Sequence, residues 1–574
     1  MDHHDDALAW LAEDPDPDTR DELQRLLDID DAAGIADRFA DRLEFGTAGM
    51  RGALGAGPNR MNRALVRRVT AGLADRVVQG PDEDTRTVVV GCDARHNSDV
   101  FAADTAMVLA GAGVAVHQFP DVVVTPLVAY AVRHLATDAG VMVTASHNPP
   151  ADNGYKVYGP GGRQIIPPLD EEISEAIDAV GSLAGVPLAP ADSDLITPVP
   201  PEVQAAYTER VLAMVDADGP RDLRIVYTAL HGVAGAICVS VLEQAGFADV
   251  HPVPEQHQPD PDFPTVAFPN PEEPGAMDLA TALAVAVDAD LVLANDPDGD
   301  RIAVGVPDGD GWRLLSGDEI GVVLAEDVLA RGALTAGRRP WVGTTVVSST
   351  LLSKVAAHHG AGYAETLTGF KWLSKVAEDL EQVPGDAAGT MVLAYEQALG
   401  VSIGDLVRDK DGISAALTVA DLAARLKAQG RSLTDLLDDL AQRHGAHVTL
   451  GRSVLLNDPG ADGVDLVQRA LDGLRATPPA DLGGSPVTAV WDHDAGILTR
   501  TDGSVEAIDL PATPLLRYLA QDGTMVMVRP SGTEPKLKFY GEAIVTGDDP
   551  AAARAAATAR VEAVLTGFMA AALA

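Results

Sequence analysis

Cysteine is almost missing from this chain: only Cys92 and Cys238 occur in 574 residues. That excludes a disulfide framework or a thiolate metal site and leaves both thiols as packing residues in apolar, strand-like surroundings. Positive charge is the second scarcity. A formal net charge of -43 argues against a nucleic-acid partner, because a polyphosphate requires a basic footprint on the surface. Room remains for one small phosphorylated ligand in a local basic pocket. Long apolar runs are missing too: none reaches the roughly 20 residues that a membrane span needs. The amino-terminal stretch M-D-H-H-D-D-A-L-A-W is acidic where a signal peptide is basic. A cytoplasmic protein with no membrane attachment is expected, and nothing in the sequence asks for an obligate protein partner.

Lysine is rarer still, with eight residues among the 42 basic ones. Arginine and lysine interchange on solvated faces, but a compact ammonium that can lose its proton has no guanidinium equivalent. Six of the eight, Lys156, Lys371, Lys375, Lys410, Lys536 and Lys538, fall in Gly-, Pro- or Asp-rich stretches, which marks them as places where an ammonium is required. What is plentiful is apolar material, 46% of a length that one hydrophobic core does not fill. Three or four domains follow from that size.

The chain opens with acidic amphipathic helices over residues 5–43, then F-G-T-A-G-M-R-G (Phe45 to Gly52), a glycine-rich loop around Arg51 suited to wrapping an anion. A β-branched strand leads into G-C-D-A-R-H-N-S, which carries Arg95, and a helix is predicted from Val100 to Ala112. Apolar Ala139 to Val143 reads as a buried strand, and Thr144 to Asn153 supplies turn formers. Ser146 is therefore expected to sit exposed just past the carboxyl end of that strand, where open α/β sheets place their chemistry. Alone, S-H-N reads first as a polar turn whose side chains bond backbone groups, and it is the company of the other stretches that overturns this. Alternation of strands and helices predicts parallel sheets covered by helices.

A Pro- and Asp-rich passage, Val186 to Pro201, reads as the first domain boundary. Beyond it come a helix, Val203 to Val215, a strand, Leu223 to Thr228, and a long proline-rich loop, His257 to Pro274, expected to lie over a neighbouring domain. The next chemical stretch, A-D-L-V-L-A-N-D-P-D-G-D-R, puts Asp296, Asp298 and Asp300 at alternate positions before Arg301. Three carboxylates on one turn repel each other unless a cation neutralises them, and oxygen ligands call for Mg²⁺ or a similar hard ion. An EF-hand is excluded, because Gly299 stands fourth and Pro307 twelfth where that loop needs glycine sixth and glutamate twelfth. The bland alternative is a solvated acidic turn.

A third unit begins near Ser316, with a strand at Trp341 to Val347, then T-L-T-G-F-K-W-L-S-K (Gly369, Lys371), Y-E-Q-A-L-G (Glu396) and V-R-D-K-D-G-I. Glu396 ends an apolar strand, as an acceptor for sugar hydroxyls or as an ordinary strand-end carboxylate. After a loop at Ala476 to Pro486, M-V-M-V-R-P-S-G-T-E-P-K-L-K-F-Y offers Arg529, Ser531, Gly532 and Thr533 to one anion, with Lys536 and Lys538 on the strand that leaves it. The boundaries expected are 1–202, 203–315, 316–450 and 451–574.

These four stretches, in this order, resemble the α-D-phosphohexomutase superfamily, the phosphoglucomutases and phosphomannomutases, over nearly the whole chain. T-A-S-H-N-P-P resembles its phosphoserine loop, D-P-D-G-D-R its Mg²⁺ loop, Y-E-Q-A-L-G its sugar loop and R-P-S-G-T-E-P its phosphate loop. The resemblance implies an α/β fold of four domains around a central cleft, three α/β domains with mixed sheets and a smaller C-terminal α+β domain. It implies phosphoryl transfer between Ser146 and a sugar phosphate through a sugar 1,6-bisphosphate, with Mg²⁺ held by Asp296, Asp298, Asp300 and Ser146. Arg301 neutralises moving charge, and Arg51 and Arg95 support the phosphoserine. His147, Lys156 and Lys371 are the candidates for moving the hydroxyl proton. Glu396, Gly369, Lys371, Arg529, Ser531, Gly532, Thr533 and Lys538 are the expected contacts to a phosphosugar.

Many bacterial members carry G-E-x-S-G-H in the sugar loop; here Glu396 is kept, but Ala398 and Gly400 stand for the serine and histidine. The stretch is instead similar to the phosphoglucomutase-2 and phosphopentomutase-like branch. Glucose 1-phosphate and 6-phosphate are the first expectation, with mannose and pentose phosphates as alternatives and a sugar-phosphate phosphatase as the remote one.

Overall fold

Among the described residues, four sheets of six, five, four and eight strands carry the chain in the computed structural model. It describes residues 3–46, 49–79, 86–332, 334, 337–383, 388–456, 463–531 and 536–573. Its contacts divide into two compact units. Unit 1 comprises Met1–Leu315, Ser374–Leu393 and Leu399–Gln429, and unit 2 comprises Ser316–Leu373, Ala394–Ala398 and Gly430–Ala574.

Unit 1 contains the two sheets that matter most for the chemistry. The first has β1 (Met50–Ala53), β2 (Thr87–Cys92), β3 (Ala115–Gln118), β4 (Ala139–Val143), β5 (Asp152–Tyr158) and β6 (Ile196–Pro198) in the order β1-β5-β4-β2-β3-β6. β2 pairs in parallel with β3 and β4, and β3 with β6, while β5 runs antiparallel to β4 and β1. All five residues of β4 are buried, as expected of a strand covered on both faces. The second sheet has β7 (Arg224–Thr228), β8 (Asp249–Pro252), β9 (Leu291–Ala294), β10 (Ala303–Asp308) and β11 (Gly311–Leu314) in the order β11-β10-β9-β7-β8. β9 is likewise buried throughout, so its polar continuation begins at the sheet's carboxyl edge.

Several boundaries differ from the sequence reading. The helix expected at Val100 spans Ser98–Gly111, and the one expected at Val203 spans Pro201–Leu212, because proline is accommodated in a helix's first turn. The passage read as a boundary contributes β6 to the first sheet. Cys92 and Cys238 are both buried free thiols, as expected.

In unit 2 the strands Arg339–Thr345 and Gly362–Thr366 pair in parallel, the first starting and ending two residues before the expected Trp341–Val347. The largest sheet follows the order Ala446–Leu455, Lys536–Val545, Met525–Pro530, Leu516–Ala520, Ser485–Asp492, Ile497–Arg500, Val505–Ala507. Period-two alternation sorts its residues: Val526 and Val528 pack with Val564, Leu565 and Phe568 of the helix Pro550–Ala572, while Met525 and Met527 pack with Val346 and Val347. The stretch expected to be a loop at Ala476 to Pro486 contains a small hairpin, Asp481–Leu482 against Ser485–Pro486, closed by Gly483 and Gly484 at positive φ. Among the described residues, no helix is long and apolar enough to cross a membrane.

His493, 2% exposed in unit 2, has no hydrogen-bond partner among the described residues on either ring nitrogen. Burial, helped by the Arg517 charge, holds its pKa down to about 4. Above about pH 6.5, its ordinary value, the ring is neutral in both folded and unfolded chains and pH has no effect through it. Below that value the unfolded chain takes up the proton first, so stability falls until the folded ring titrates. Replacing it (His493→Leu) should remove about 2 to 3 kcal/mol of the stability lost between pH 7.5 and pH 4. Urea unfolding of both proteins at the two pH values checks this, and equal acid losses would refute it.

Candidate active site

β4 stops at Val143, and the chain turns through Thr144 to Asp152 before β5 returns. Ser146 lies just past the strand end, as expected, but the expectation of exposure is wrong: the residue is 1% exposed. Its Oγ donates to Asp296 Oδ2 at 2.8 Å and lies 3.2 Å from His147 Nδ1, so the next strand-end turn covers it. Ser146 has φ +54, in the left-handed region that costs a non-glycine residue roughly 1 kcal/mol or more. Its surroundings hold it there. The Ser146 N–H donates to Thr144 Oγ1 at 2.8 Å, and that hydroxyl donates to Asp93 Oδ2 at 2.6 Å. Arg95 donates to the carbonyl oxygens of Ser146, Asn148, Pro149 and Asp152 at 2.6 to 3.1 Å. One planar fork therefore fixes the whole turn, with Asp93 beside it at 3.4 Å.

β9 ends at Ala294 and delivers Asp296, Asp298 and Asp300, all buried, with oxygens within 4.8 Å of one another. Gly299 takes φ +72 at a point where a Cβ would meet Val124 at 2.9 Å, so the turn needs glycine there. Compensating charge comes from three directions. Lys156 Nζ lies 2.6 Å from Asp298 Oδ2 and 3.0 Å from Asp300 Oδ2; Lys410 Nζ lies 3.3 Å from Asp300 Oδ2; Arg301 Nε lies 3.9 Å from both Asp296 and Asp300. Thr125 Oγ1 donates to Asp298 Oδ2 at 2.6 Å.

Burial works against ionising each carboxyl. At Asp296 the neighbouring Asp298 and Asp300 charges add to burial and push its pKa well up. At Asp298 burial is outweighed by Lys156 and the Thr125 hydroxyl, and at Asp300 by Lys156, Lys410 and Arg301, so both pKa values fall. Lys156 stays an ammonium for the same reason: burial disfavours the charge, but the two carboxylates more than restore it. Burial, with the Arg301 and Arg51 charges, holds His147 well below the ordinary histidine range, so its imidazole is neutral.

Asp298 Oδ1 and Asp300 Oδ1 are buried without a hydrogen-bond partner among the described residues. Two orphaned carboxylate oxygens in an all-oxygen set beside the Ser146 hydroxyl fit a hard divalent cation. Such an ion would be held by Asp296, Asp298 and Asp300, and when bound would supply positive charge against phosphoryl oxygens.

Two residues outside the expected set complete this cluster. Lys410 was marked only by the scarcity of lysine; it packs where Gly400 leaves room, since a Cβ at Gly400 would lie 2.3 Å from Lys410 Cδ. Thr125 had no sequence signal. Lys375, marked by the same scarcity, is an exposed partner of Asp379 one helical turn away. Arg51 stands on β1 opposite Gly154, its Nε buried and without a partner among the described residues. Unit 1 thus gathers Ser146, His147, Lys156, Arg51, Arg95, Arg301 and the three aspartates.

The remaining expected contacts among the described residues lie in unit 2. Glu396 ends the strand Gly389–Glu396 and accepts the Gly369 N–H at 2.8 Å, with Gly369 at φ +110. Lys371 Nζ lies 5.7 Å from the centre of the Trp372 ring. Arg529 and Lys538 are directly opposed cross-strand partners, Arg529 Nε donates to Tyr540 Oη at 3.3 Å, and the Ser531 N–H donates to Lys536 O at 2.7 Å. Gly532 and Thr533 lie outside the described residues.

Removing the Lys156 ammonium would leave two buried carboxylates short of a partner. In a chelator, Lys156→Met should lower the unfolding free energy by about 3 to 5 kcal/mol, the cost of breaking a buried ion pair from one side. Urea titration of both proteins measures it. A loss below about 1 kcal/mol would mean that Asp298 and Asp300 are not both ionised.

Models of the phosphoglucomutase/phosphomannomutase α/β/α domains I, II and III match residues 42–183, 205–309 and 316–444, and that of the C-terminal domain matches 500–561. The chain is 39% identical over 497 residues to a probable phosphomannomutase of Haemophilus influenzae, covering 85% of this chain and 94% of that protein. It is 37% identical over 554 residues to a probable phosphoribomutase of Schizosaccharomyces pombe, covering 92% of each. To a phosphoglucomutase of Staphylococcus aureus it is 32% identical over 539 residues, covering 93% and 95%. Among solved structures, a phosphoglucomutase/phosphomannomutase family protein of Burkholderia thailandensis matches with TM-score 0.66 at 23% identity, covering 92% of this chain and 97% of that one. With all four domain models matched in order along its length, the chain belongs to the phosphoglucomutase/phosphomannomutase family, whose members are mutases.

Proposed function

We propose that this enzyme interconverts glucose 1-phosphate and glucose 6-phosphate through phosphoserine 146 and glucose 1,6-bisphosphate, with Mg²⁺ in the aspartate turn and a cytoplasmic place of work. The observation that carries the reading is the Ser146 hydroxyl, 2.8 Å from Asp296 in a carboxylate cluster where, among the described residues, two oxygens accept no hydrogen bond. A hydroxyl so placed is a phosphoryl acceptor and donor. The domains proposed are 1–202, 203–315, 316–450 and 451–574.

In the first half-reaction a sugar hydroxyl attacks the phosphorus on Ser146: a new P–O bond forms to the sugar, the Ser146 Oγ–P bond breaks, and the hydroxyl proton leaves. The bisphosphate then turns over and returns its other phosphate to Ser146. Lys156, held as an ammonium, and Arg301 offset charge on the moving group. His147, neutral and 3.2 Å from Ser146 Oγ, suits the proton on the serine side. Lys371 is proposed for the sugar side. Glu396 and Gly369 would receive sugar hydroxyls, while Arg529, Ser531, Gly532, Thr533 and Lys538 would hold the phosphate that does not react. Arg95 fixes the serine turn, and Arg51 supports it.

A pentose phosphate is the second reading, favoured by the likeness to a probable phosphoribomutase over 92% of each chain. Mannose phosphates follow from the likeness to a probable phosphomannomutase. Incubation with glucose 1-phosphate and Mg²⁺, following glucose 6-phosphate and free phosphate together, should give isomer with little phosphate, and intact mass should place one phosphate on Ser146. Phosphate without isomer would establish a phosphatase instead. The same assay over pentose, mannose and glucosamine phosphates ranks the sugars.

Arg529→Ala should cost about 2 to 5 kcal/mol in kcat/KM, as when one partner of a desolvated charge pair is truncated. Arg529→Lys should recover only part, because an ammonium lacks the fork. Slow loss of phosphate from Ser146 to water, which needs no sugar phosphate, should change little in the alanine variant. Parallel loss of both reactions would remove Arg529 from the substrate contacts.

A further inference from the structure

The proline-rich connection between β8 and the helix Asp278–Val287 contains two phenylalanines with opposite fates. Phe268 is 49% exposed, whereas Phe263 is 3% exposed and takes φ +45. A bulky residue in that region of backbone space persists only where packing over-determines it. The packing is specific. The Arg95 guanidinium carbon lies 5.0 Å from the centre of the Phe263 ring, and the His231 ring meets it edge-on at 6.5 Å and 79°.

Both neighbours lead to the active site. Arg95 is the fork that holds four carbonyl oxygens of the Ser146 turn. His231 sits at φ +60 in a turn whose next residues press on the aspartate loop: a Cβ at Gly232 would lie 2.3 Å from Pro297 Cα, and the Val233 N–H donates to Pro297 O at 2.8 Å. Pro297 is the residue between Asp296 and Asp298. Flanking contacts clamp the connection on both sides of the ring: Asp262 Oδ1 lies 2.7 Å from His96 Nε2, and Thr265 Oγ1 lies 2.8 Å from His231 Nε2. A single ring thus touches the supports of the nucleophile and of the carboxylates.

We infer that Phe263 is a positioning residue for phosphoryl transfer, whose ring spaces the Ser146 turn against the Asp296–Asp300 turn through Arg95 on one contact and His231 on the other. This rests on the mutase reading. Because Phe263 acts through other residues, its loss should slow chemistry and leave sugar-phosphate affinity alone.

The test uses the full chain with Phe263→Leu and Phe263→Tyr. Phosphorylation of dephosphorylated protein by glucose 1,6-bisphosphate is followed by intact mass, and amide hydrogen exchange is followed in peptides covering 144–153 and 295–301. The leucine variant should phosphorylate Ser146 about 10- to 100-fold more slowly, with KM for glucose 1-phosphate within about threefold of wild type, the expected split when near-attack geometry loosens. Exchange should quicken at both turns. The tyrosine variant, which keeps the ring, should restore both to near wild type. If exchange rises only around 258–268 and phosphorylation stays within twofold, the inference is overturned. Should the leucine variant fail to fold, Phe263→Met, closer in volume, takes its place. If wild-type Ser146 gains no phosphate, the mutase reading fails separately, and the exchange pattern still decides whether the ring spaces the two turns.

Discussion

Three carboxylates buried within 4.8 Å of one another repel strongly in a medium that screens poorly, and Lys156, Lys410, Arg301 and Thr125 offset that repulsion. The compensating groups come from distant parts of the chain. Lys156 is carried by β5, Lys410 by the segment after residue 399, Arg301 by the aspartate turn itself and Thr125 by the start of the helix Thr125–His134. That helix also donates its Thr125 N–H to the Asp298 carbonyl at 2.8 Å, bringing the positive end of its dipole to the cluster. Electrostatics thereby pins four segments to one point. Among the described residues Asp298 Oδ1 and Asp300 Oδ1 accept no hydrogen bond, which leaves them open to a cation.

Close approach on this scale has a steric consequence. Around the cluster, backbone passes backbone where no side chain fits: a Cβ at Gly154 would lie 2.6 Å from Thr144 O, one at Gly412 would lie 2.3 Å from Arg301 O, and Gly232 is pressed on Pro297 in the same way. Non-glycine residues with positive φ collect here too, with Ser146, Leu230, His231 and Phe263 among them. Such strain is stable only when neighbours leave no alternative. The Asp93, Thr144 and Arg95 bonds perform that task for Ser146, and they do so from within the hydrophobic layer, where competing water is scarce.

Much of this was legible in the chain. The apolar run Ala139 to Val143 matched β4 to the residue, an apolar strand was expected before the aspartates, their alternate spacing announced a shared turn, and scarcity of lysine marked six positions, Lys156 and Lys410 among them. These signals are local, or depend on composition alone. What was not legible depends on partners far away in sequence. Ser146 lies past its strand as expected but is buried, because Asp296 covers it from 150 residues on. Thr125 and Phe263 have no motif, and Asp93 stands unremarked in the stretch that carries Arg95, since their roles come from what the fold brings against them. Lys156 read as one of three candidate proton carriers; its pairing with Asp298 and Asp300, which raises its pKa, comes from partners more than 140 residues away. Lys375 shows the converse, a rare lysine in a motif that serves only an exposed helical pair.

The choice between the two cations follows the geometry each must satisfy. Between Asp298 and Asp300 there is space for a point charge reaching two oxygens at 2.6 and 3.0 Å, and lysine fills it. Under the Ser146 turn four carbonyl oxygens must be reached from one side, and only a planar guanidinium presents enough donors in fixed directions. The same logic separates Arg529 from Lys538 in unit 2, where the two stand directly opposed across an antiparallel pair. Like charges so placed destabilise a sheet unless something negative lies between them or beside them. On a chain with a net charge of -43, general attraction for an anion is absent. In the proposed function a phosphorylated ligand is drawn by local concentrations of positive charge such as Arg529 and Lys538, directly opposed on their strands, and not by the overall field of the chain.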